Sequence, residues 1–449
     1  MSGQGKRAAH ILGIALCFLA SHAWGQEPQP RGIDTQPQGT ASEPVAIPPS
    51  TVPSIAAYPL ELLGLLAPPA RRGPVTLTPS ISISEEYNDN IFLDNRNRQS
   101  DFVSDFGPAI TLYINRPSYQ LNAGYSFRAA VYAQHERFNN AFDSQNFIGG
   151  GLYRASPALT LSATDTFTMD RNSNLTAQGF STGRQESWTN TLSPGMTWQM
   201  TARNTLSLTA SYTVLRFEGA GGGVASSTGG GTAASAGGGV GSDTYSLQSN
   251  LTHTFTPRFA GIIGYGFTYL DAQRQASSTS HTPTLGFNYQ LTRTLSASVN
   301  GGAAVTELAG QTLVSPAGTA TLTQALGFGL ASLQYSRGVT VAGGFGGTTD
   351  TQTASGRLEL STLQRSLLVV FNPVYSIAES IGSQQTGTVD VKSFTLGLSA
   401  YYQLARYTNL FAGYTFFRQR TGGSSSVQID ADINRVKFGV QFGYPFNFD

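Results

Sequence analysis

The stretch Leu121-Asn122-Ala123-Gly124-Tyr125-Ser126-Phe127 alternates apolar and polar side chains with a period of two residues. Successive side chains of a β-strand point to opposite faces, so this pattern predicts a strand with one apolar and one polar face. The same alternation recurs at 110–114, 263–269 and 436–444, and it persists over most of the chain from Val75 onward. The sequence therefore predicts a protein built almost entirely of two-faced strands.

The composition indicates the solvent in which these strands fold. Only 12% of the 449 residues are charged, whereas soluble globular proteins carry about 25%. Aromatic residues reach 11%, which argues against disorder, and no run of about 20 apolar residues is available for a transmembrane helix. The remaining class is an all-β fold, a transmembrane antiparallel up-and-down β-barrel in the cell outer membrane, with membrane lipid as its partner.

Eight short polar turns, each containing one arginine, set the predicted number of strands. They are Arg116-Pro117-Ser118, Arg154-Ala155-Ser156-Pro157, Ala202-Arg203-Asn204, Thr256-Pro257-Arg258, Thr292-Arg293-Thr294, Ser336-Arg337-Gly338, Gln364-Arg365-Ser366 and Ala405-Arg406-Tyr407. The interval between turns holds two membrane strands of about 10 residues and one longer loop, as in outer-membrane barrels. Eight turns separate nine hairpins, so we predict about 18 strands, with 16 to 20 as the range.

The N-terminal region differs in composition from the barrel. Residues 1–25 have the basic start, apolar core and small-residue cleavage site of a secretory signal peptide. Residues 26–74 are rich in proline and predict a disordered periplasmic linker, and residues 75–449 form the barrel. Within the linker, Leu60 to Leu66 is either a short docking or pore-plugging helix or a patch that lies on the barrel rim.

If the apolar faces contact lipid, the alternate positions line the lumen. These positions carry mostly Ser, Thr, Asn and Gln. The predicted lumen-facing candidates are Asp105, Arg128, Arg357, Glu359, Asn250, Asn288 and Asn300. Rings of one charge select ions of the opposite sign. Because this lining predicts no such ring, we expect it to suit neutral or weakly charged solutes such as sugars.

Three aromatic and acidic residues test the predicted lipid face. Trp188 and Trp198 have the same parity on one strand, ten residues apart, which corresponds to about 25 Å along the membrane normal. We therefore predict that they belong to the two aromatic girdles. Asp165 breaks the pattern because it shares the lipid-facing parity, so either its strand bulges or it lies near the outer interface.

Gly-rich, catalytic and metal-binding motifs receive little support. Residues 219–241 contain 11 Gly but no lysine of a phosphate-binding loop, which predicts a flexible surface loop. His135, His253 and His281 lie on different predicted strands, so no catalytic residues are assigned, although His135 and His281 both fall near loop ends. The acidic segment Glu85 to Asn90 lacks calcium-loop spacing. We predict no metal, no cofactor and, at a formal net charge of +1, no nucleic-acid partner.

The acidic segment and its flanks, Ile81-Ser82-Ile83-Ser84 before it and Ile91-Phe92 after it, resemble the opening of the beta-barrel porin type 2 family. These are outer-membrane barrels often associated with exopolysaccharide or capsule production. The resemblance implies a channel that assists export or secretion of a surface polysaccharide. A general diffusion porin, a barrel enzyme and a structural or receptor barrel remain as alternatives.

The last predicted strand also resembles a known signal. Val436, Phe438, Val440, Phe442 and Tyr444 alternate strictly, as in the C-terminal strand that the barrel assembly machinery recognises. The resemblance implies that machinery as a partner. The chain departs from the usual pattern because Phe446-Asn447-Phe448-Asp449 follows the aromatic residue.

Overall fold

The computed structural model describes residues 74–170, 180–181, 183, 186–217, 239–273, 276–341, 348–361, 366–381, 389–423 and 429–448. All of them belong to one compact unit, Ser50–Asp449. The predicted signal peptide, the linker up to residue 73 with its Leu60–Leu66 segment, and most of the Gly-rich stretch lie outside the described residues.

The described chain is almost entirely β-strand, with one turn of 3-10 helix at Glu136–Phe138. The strands are β1 Val75–Asn88, β2 Asp101–Asn115, β3 Tyr119–Tyr132, β4 Asn140–Ser156, β5 Leu159–Asp170, β6 Ser187–Thr201, β7 Asn204–Phe217, β8 Ser242–Thr256, β9 Phe259–Ala272, β10 Ser278–Gln290, β11 Leu295–Leu308, β12 Gln311–Leu326, β13 Gly329–Val341, β14 Thr348–Leu360, β15 Leu367–Ser380, β16 Val389–Ala405, β17 Thr408–Gly423, β18 Ala431–Gly443 and β19 Phe446–Phe448. No helix in this part of the chain is long and apolar enough to cross a membrane.

The strands close into a barrel. Each pairs antiparallel with its neighbours in sequence, and β1 pairs with both β2 and β18. The seam is in register from Ser80 opposite Gly443 to Asn88 opposite Arg435. After a break at Tyr444-Pro445, β19 resumes the pairing with the start of β1, so β18 and β19 together form the last wall strand. The barrel thus has 18 strands, as predicted, and closure leaves no unpaired edge in the wall.

The predicted turns are mostly at the barrel's short-turn end. Ala202-Arg203, for example, joins β6 to β7, and Pro257-Arg258 joins β8 to β9. The predicted turn at Ser336-Arg337-Gly338 is wrong, because these residues lie within β13 and the true turn is Gly327-Phe328. Arginine was a misleading marker there, since Arg337 forms an ion pair with Asp350 on the neighbouring strand. Residues 362–365, which include Arg365, lie outside the described residues.

One face of the wall is apolar and exposed around the barrel. Leu285 and Val314 are 69% and 68% exposed, and they share this face with Ile83, Ile263 and Phe438 through cross-strand pairing. The alternate positions are more buried and mostly small and polar, such as Ser80, Ser84 and Ser280. Because hydrocarbon requires an apolar surface with all backbone groups paired, the exposed face is the lipid-facing outer wall. The molecule is an outer-membrane β-barrel.

Asp165 lies on this outer wall, and the bulge that was predicted as one alternative for it is absent. The strand β5 pairs with β6 without a register shift, and its only shift against β4 falls between Arg154 and Ser156. Asp165 is the seventh residue of the 12 in β5. It pairs with Leu192, which lies between Trp198 and Trp188 on the same outward face of β6.

Candidate functional site

The inner wall carries a group of charged residues on six adjacent strands, which we name the charged arc. It comprises Glu86 on β1, Asp105 on β2, Arg128 on β3, Asp143 on β4, Asp170 on β5, and Arg435 and Lys437 on β18. Their inward direction follows from register. Asp105 pairs with the buried Ser84, and Asp170 pairs with the buried Ser144.

From Arg435 to Asp143, the arc is a continuous chain of alternating charges. Arg435 Nε lies 3.9 Å from Glu86 Oε1, and Lys437 Nζ lies 4.0 Å from Glu86 Oε2. Lys437 also contacts Asp105 Oδ2 at 2.5 Å, and Arg128 Nη1 lies 3.6 Å from the same oxygen. The second guanidinium nitrogen of Arg128 donates to Asp143. Each buried carboxylate therefore faces at least one cation, which offsets part of the cost of its burial.

The sequence predicted only part of this arc. Asp105 and Arg128, both predicted to face the lumen, lie on the inner wall and interact directly. Glu86, Arg435 and Lys437 were missed although parity marks them, since Arg435 and Lys437 alternate with the outward Val436 and Phe438. Asp143 was missed for a physical reason.

Asp143 faces inward because a local irregularity changes which residues of β4 point to the lumen. The register between β3 and β4 shifts between Arg128 and Ala130. Phe142 accordingly packs against the outward Phe127, whereas both Asp143 and Ser144 are buried. Strict alternation along β4 is broken there, and no residue pattern in the sequence reports such a break.

The other predicted lumen residues lie elsewhere on the inner wall. Arg357 and Glu359 form an ion pair within β14, close to the short-turn end of the barrel. Asn250, Asn288 and Asn300 occupy inward positions on β8, β10 and β11, and Asn300 Oδ1 accepts a hydrogen bond from the Thr319 N–H at 3.0 Å. The structure does not bring these residues to the charged arc.

Residues between β5 and β6 reach a different part of the inner wall at the loop end. The Ser181 N–H donates to Gln419 Oε1, and Gln419 Nε2 donates to the Ser181 carbonyl, both at 2.8 Å. Phe180 is fully buried and packs in a cluster with Val391, Phe417 and inward residues of neighbouring strands. Since β17 pairs with neither β5 nor β6, Phe180 and Ser181 reach a part of the inner wall that is not adjacent to their own strands.

The histidines and the acidic segment are engaged in other contacts. His135 Nδ1 lies 2.8 Å from Asp101 Oδ2, His253 Nδ1 lies 2.7 Å from Asn204 Oδ1, and His281 Nδ1 lies 2.7 Å from the Tyr265 hydroxyl. Within the acidic segment, Glu85 accepts from Ser104 on the outer face while Glu86 belongs to the arc.

The acidic segment is thus divided between the two faces of the wall and does not converge on one point. Asp89, near its end, pairs with Arg98 at 3.3 Å. Among the described residues, no group of three or more His, Cys, Asp and Glu is arranged to hold a metal ion.

Comparison with known proteins finds a similarity of fold and none of sequence family. No protein-family model matches the chain, and no curated protein matches its sequence. The chain is similar to the solved structure of OpdL from Pseudomonas aeruginosa, with 12% identity, coverage of 83% of this chain and 99% of that one, and a TM-score of 0.42. It is also similar to OccAB4 from Acinetobacter baumannii, with 10% identity, coverage of 84% and 100%, and a TM-score of 0.42. The likeness is one of fold alone.

Proposed function

We propose that this protein is an outer-membrane channel through which small hydrophilic solutes diffuse. The observation that carries the proposal is the contrast between the two faces of a closed 18-stranded wall, apolar outside and polar or charged inside. A barrel of this size is wide enough to hold an aqueous channel. A polar inner face is favourable only against water or polar groups, because unpaired polar atoms are costly in apolar surroundings.

The charged arc bears on what the channel admits. Four carboxylates (Glu86, Asp105, Asp143 and Asp170) face three cations (Arg128, Arg435 and Lys437). The opposite charges nearly cancel, so the arc presents a local field without a ring of a single sign. We therefore expect weak ion selectivity with a slight preference for cations.

Planar-bilayer recording of the purified full chain tests this proposal. We expect stepwise conductance with weak selectivity, and Arg128→Ala should shift the reversal potential toward cation selectivity because four carboxylates then face two cations. Asp143→Asn should shift it in the opposite direction. Thr209→Ala, an uncharged change on the inner face of β7, is the matched control. A bilayer that stays silent with the protein inserted would leave a structural or receptor barrel as the better account.

Passage of a polysaccharide is a second candidate. The inner wall of β8, β10 and β11 offers the amides of Asn250, Asn288 and Asn300 together with hydroxyls such as Ser298, and these groups can exchange hydrogen bonds with sugar hydroxyls. Saturable block of the current by a long neutral or weakly acidic glycan would support this candidate. Conductance that is indifferent to glycans would favour the plain diffusion channel.

A further inference from the structure

The outer wall carries an open apolar groove across β11–β16, which we name the outer groove. It has a volume of about 560 Å³, within the range of about 300–1,000 Å³ that ligand pockets occupy. One row of cross-strand pairs runs through it: Ala320, Tyr335, Ala354, Tyr375 and Phe394. Because the small Ala354 lies between two tyrosines, the wall is recessed there.

The recess continues into the next row toward the short-turn end. This row contains Leu322, Leu333, Gly356 and Pro373. A Cβ added at Gly356 would lie 3.3 Å from Pro373 Cγ and 3.4 Å from Leu333 Cδ2, so a side chain there would raise the floor against both neighbours. Since the surrounding solvent at this depth is hydrocarbon, the shape and polarity of the groove are complementary to an acyl chain.

Cations lie directly beyond the groove, one row nearer the loop end. From β13 to β17 this row contains Arg337, Gln352, Ile377, Lys392 and Arg420. The following row, nearer the loops, contains Val339, Asp350, Glu379, Asp390 and Gly422. On these five strands the positive charges therefore lie between the apolar groove and the carboxylates.

Two cations at the end of the groove keep donors for a further ligand. Lys392 is two residues from Phe394 on the same face of β16, and Arg418 is opposite Phe394 on β17. Lys392 Nζ lies 3.8 Å from Asp390 Oδ1, and Arg418 Nε lies 3.6 Å from Asp432 Oδ1. These distances are too long for hydrogen bonds, and the two side chains are 50% and 56% exposed. An anion at the end of the groove can therefore accept from both.

We propose that the outer groove and the pair Lys392 and Arg418 together bind one phosphate-bearing acyl lipid of the outer leaflet. An acyl chain fills the recess, and the phosphate accepts hydrogen bonds from the ammonium and guanidinium groups, which are strong donors to phosphate. The loop end of an outer-membrane barrel faces the cell exterior, so the cations lie on the side of the outer leaflet. The site is outside the lumen and does not depend on whether the barrel conducts.

Native mass spectrometry of the purified full chain in detergent tests the site with three ligands. Dimyristoyl phosphatidylglycerol has acyl chains and a phosphate, dimyristoylglycerol has the chains alone, and inorganic phosphate has the anion alone. We expect one tightly bound phosphatidylglycerol. Dimyristoylglycerol should bind about 25-fold more weakly, because each cation near the membrane surface contributes about fivefold, and inorganic phosphate should not be retained. Equal retention of the two lipids, or retention of phosphate alone, would overturn the proposal.

Variants separate the two parts of the site. Lys392→Gln combined with Arg418→Gln should lower the affinity for phosphatidylglycerol to that for dimyristoylglycerol, a loss of about 25-fold. Ala354→Leu, which fills the floor of the groove, should weaken the binding of both lipids. Heat-modifiable gel mobility establishes that each variant is folded.

Matched controls distinguish this site from the general lipid contact of the wall. Arg216→Gln removes an outward cation near the loop end of β7, nine strands from β16 around the barrel. Ala163→Leu enlarges an exposed outward alanine on β5, away from the groove. Neither control should change the affinity for phosphatidylglycerol. Folded site variants that bind it like the wild type, or controls that weaken it as much as the site variants, would overturn the proposal.

Discussion

Lys437, on the last long strand of the barrel, extends over the first strand to Asp105 on the second, with Nζ 2.5 Å from Oδ2. The two residues are 332 positions apart in sequence, and β1 passes between their strands. The ion pair therefore spans the seam at which the barrel closes, in addition to the backbone hydrogen bonds that β1 forms with β18.

Loss of the cation should destabilise this seam. Lys437→Met leaves the buried Asp105 with only the more distant Arg128, so we expect a loss of about 1–3 kcal/mol in the free energy of unfolding. Urea-induced unfolding in detergent, followed by intrinsic fluorescence, measures the change. Lys392→Met is the control, because Lys392 and its partner Asp390 are both about half exposed and as much as 3.8 Å apart, and such exposed pairs contribute little. Equal stability of the two variants would contradict this account of the seam.

The strand number and the two faces were predictable because their causes are local. A period of two fixes the faces residue by residue, as at Leu121 to Phe127, and short polar turns mark the ends of most hairpins. The prediction failed where an arginine was assumed to mark a turn. Arg337 lies within β13 and forms an ion pair with Asp350 on the neighbouring strand β14. Contacts between distant segments follow no period. The Ser181–Gln419 contact, 238 residues apart, could not be read from the sequence.

The assignment of faces can be tested at three positions. Leu208 and Phe267 lie on the outer wall, and Thr209 lies on the inner wall beside Gln248. Arginine at Leu208 or Phe267 should cost about 2–4 kcal/mol near the bilayer midplane, because the charge enters hydrocarbon. Thr209→Arg should cost far less, since its side chain points toward the lumen. Refolding into lipid vesicles at a series of urea concentrations measures all three, and equal tolerance would reverse the assignment of faces.

A close approach between β10 and β11 requires a glycine. A Cβ added at Gly302 would overlap the carbonyl oxygen of Pro283 on the neighbouring strand. Gly302→Ala must therefore displace backbone, and we expect a destabilisation of about 1–3 kcal/mol. A Cβ at Gly338 on β13 would meet nothing within 4 Å, so Gly338→Ala should be close to neutral. The melting of heat-modifiable gel mobility compares the two, and a wild-type melting point for Gly302→Ala would show that the strands can separate without cost.

The loop-end mouth should widen when Gln419 is changed. Its side chain both donates to and accepts from the backbone of Ser181, in the manner of an additional strand pairing, and it is fully buried beside Phe417. Gln419→Leu removes both hydrogen bonds to the Ser181 backbone. Ser181 should therefore separate from the inner face of β17 more often. We expect a larger single-channel conductance or more frequent transitions to a larger state in planar bilayers.

Thr415→Ala is the control for this measurement, because Thr415 lies on the same face of β17, four residues further from the loop end. It should conduct like the wild type. Gln419→Glu separates the two hydrogen bonds, since a carboxylate still accepts from the Ser181 N–H but cannot donate to its carbonyl, and its conductance should fall between those of the wild type and Gln419→Leu. If Gln419→Leu conducts like the wild type in folded, inserted protein, the residues at 180–181 do not limit the current, and the narrowest point lies elsewhere along the lumen.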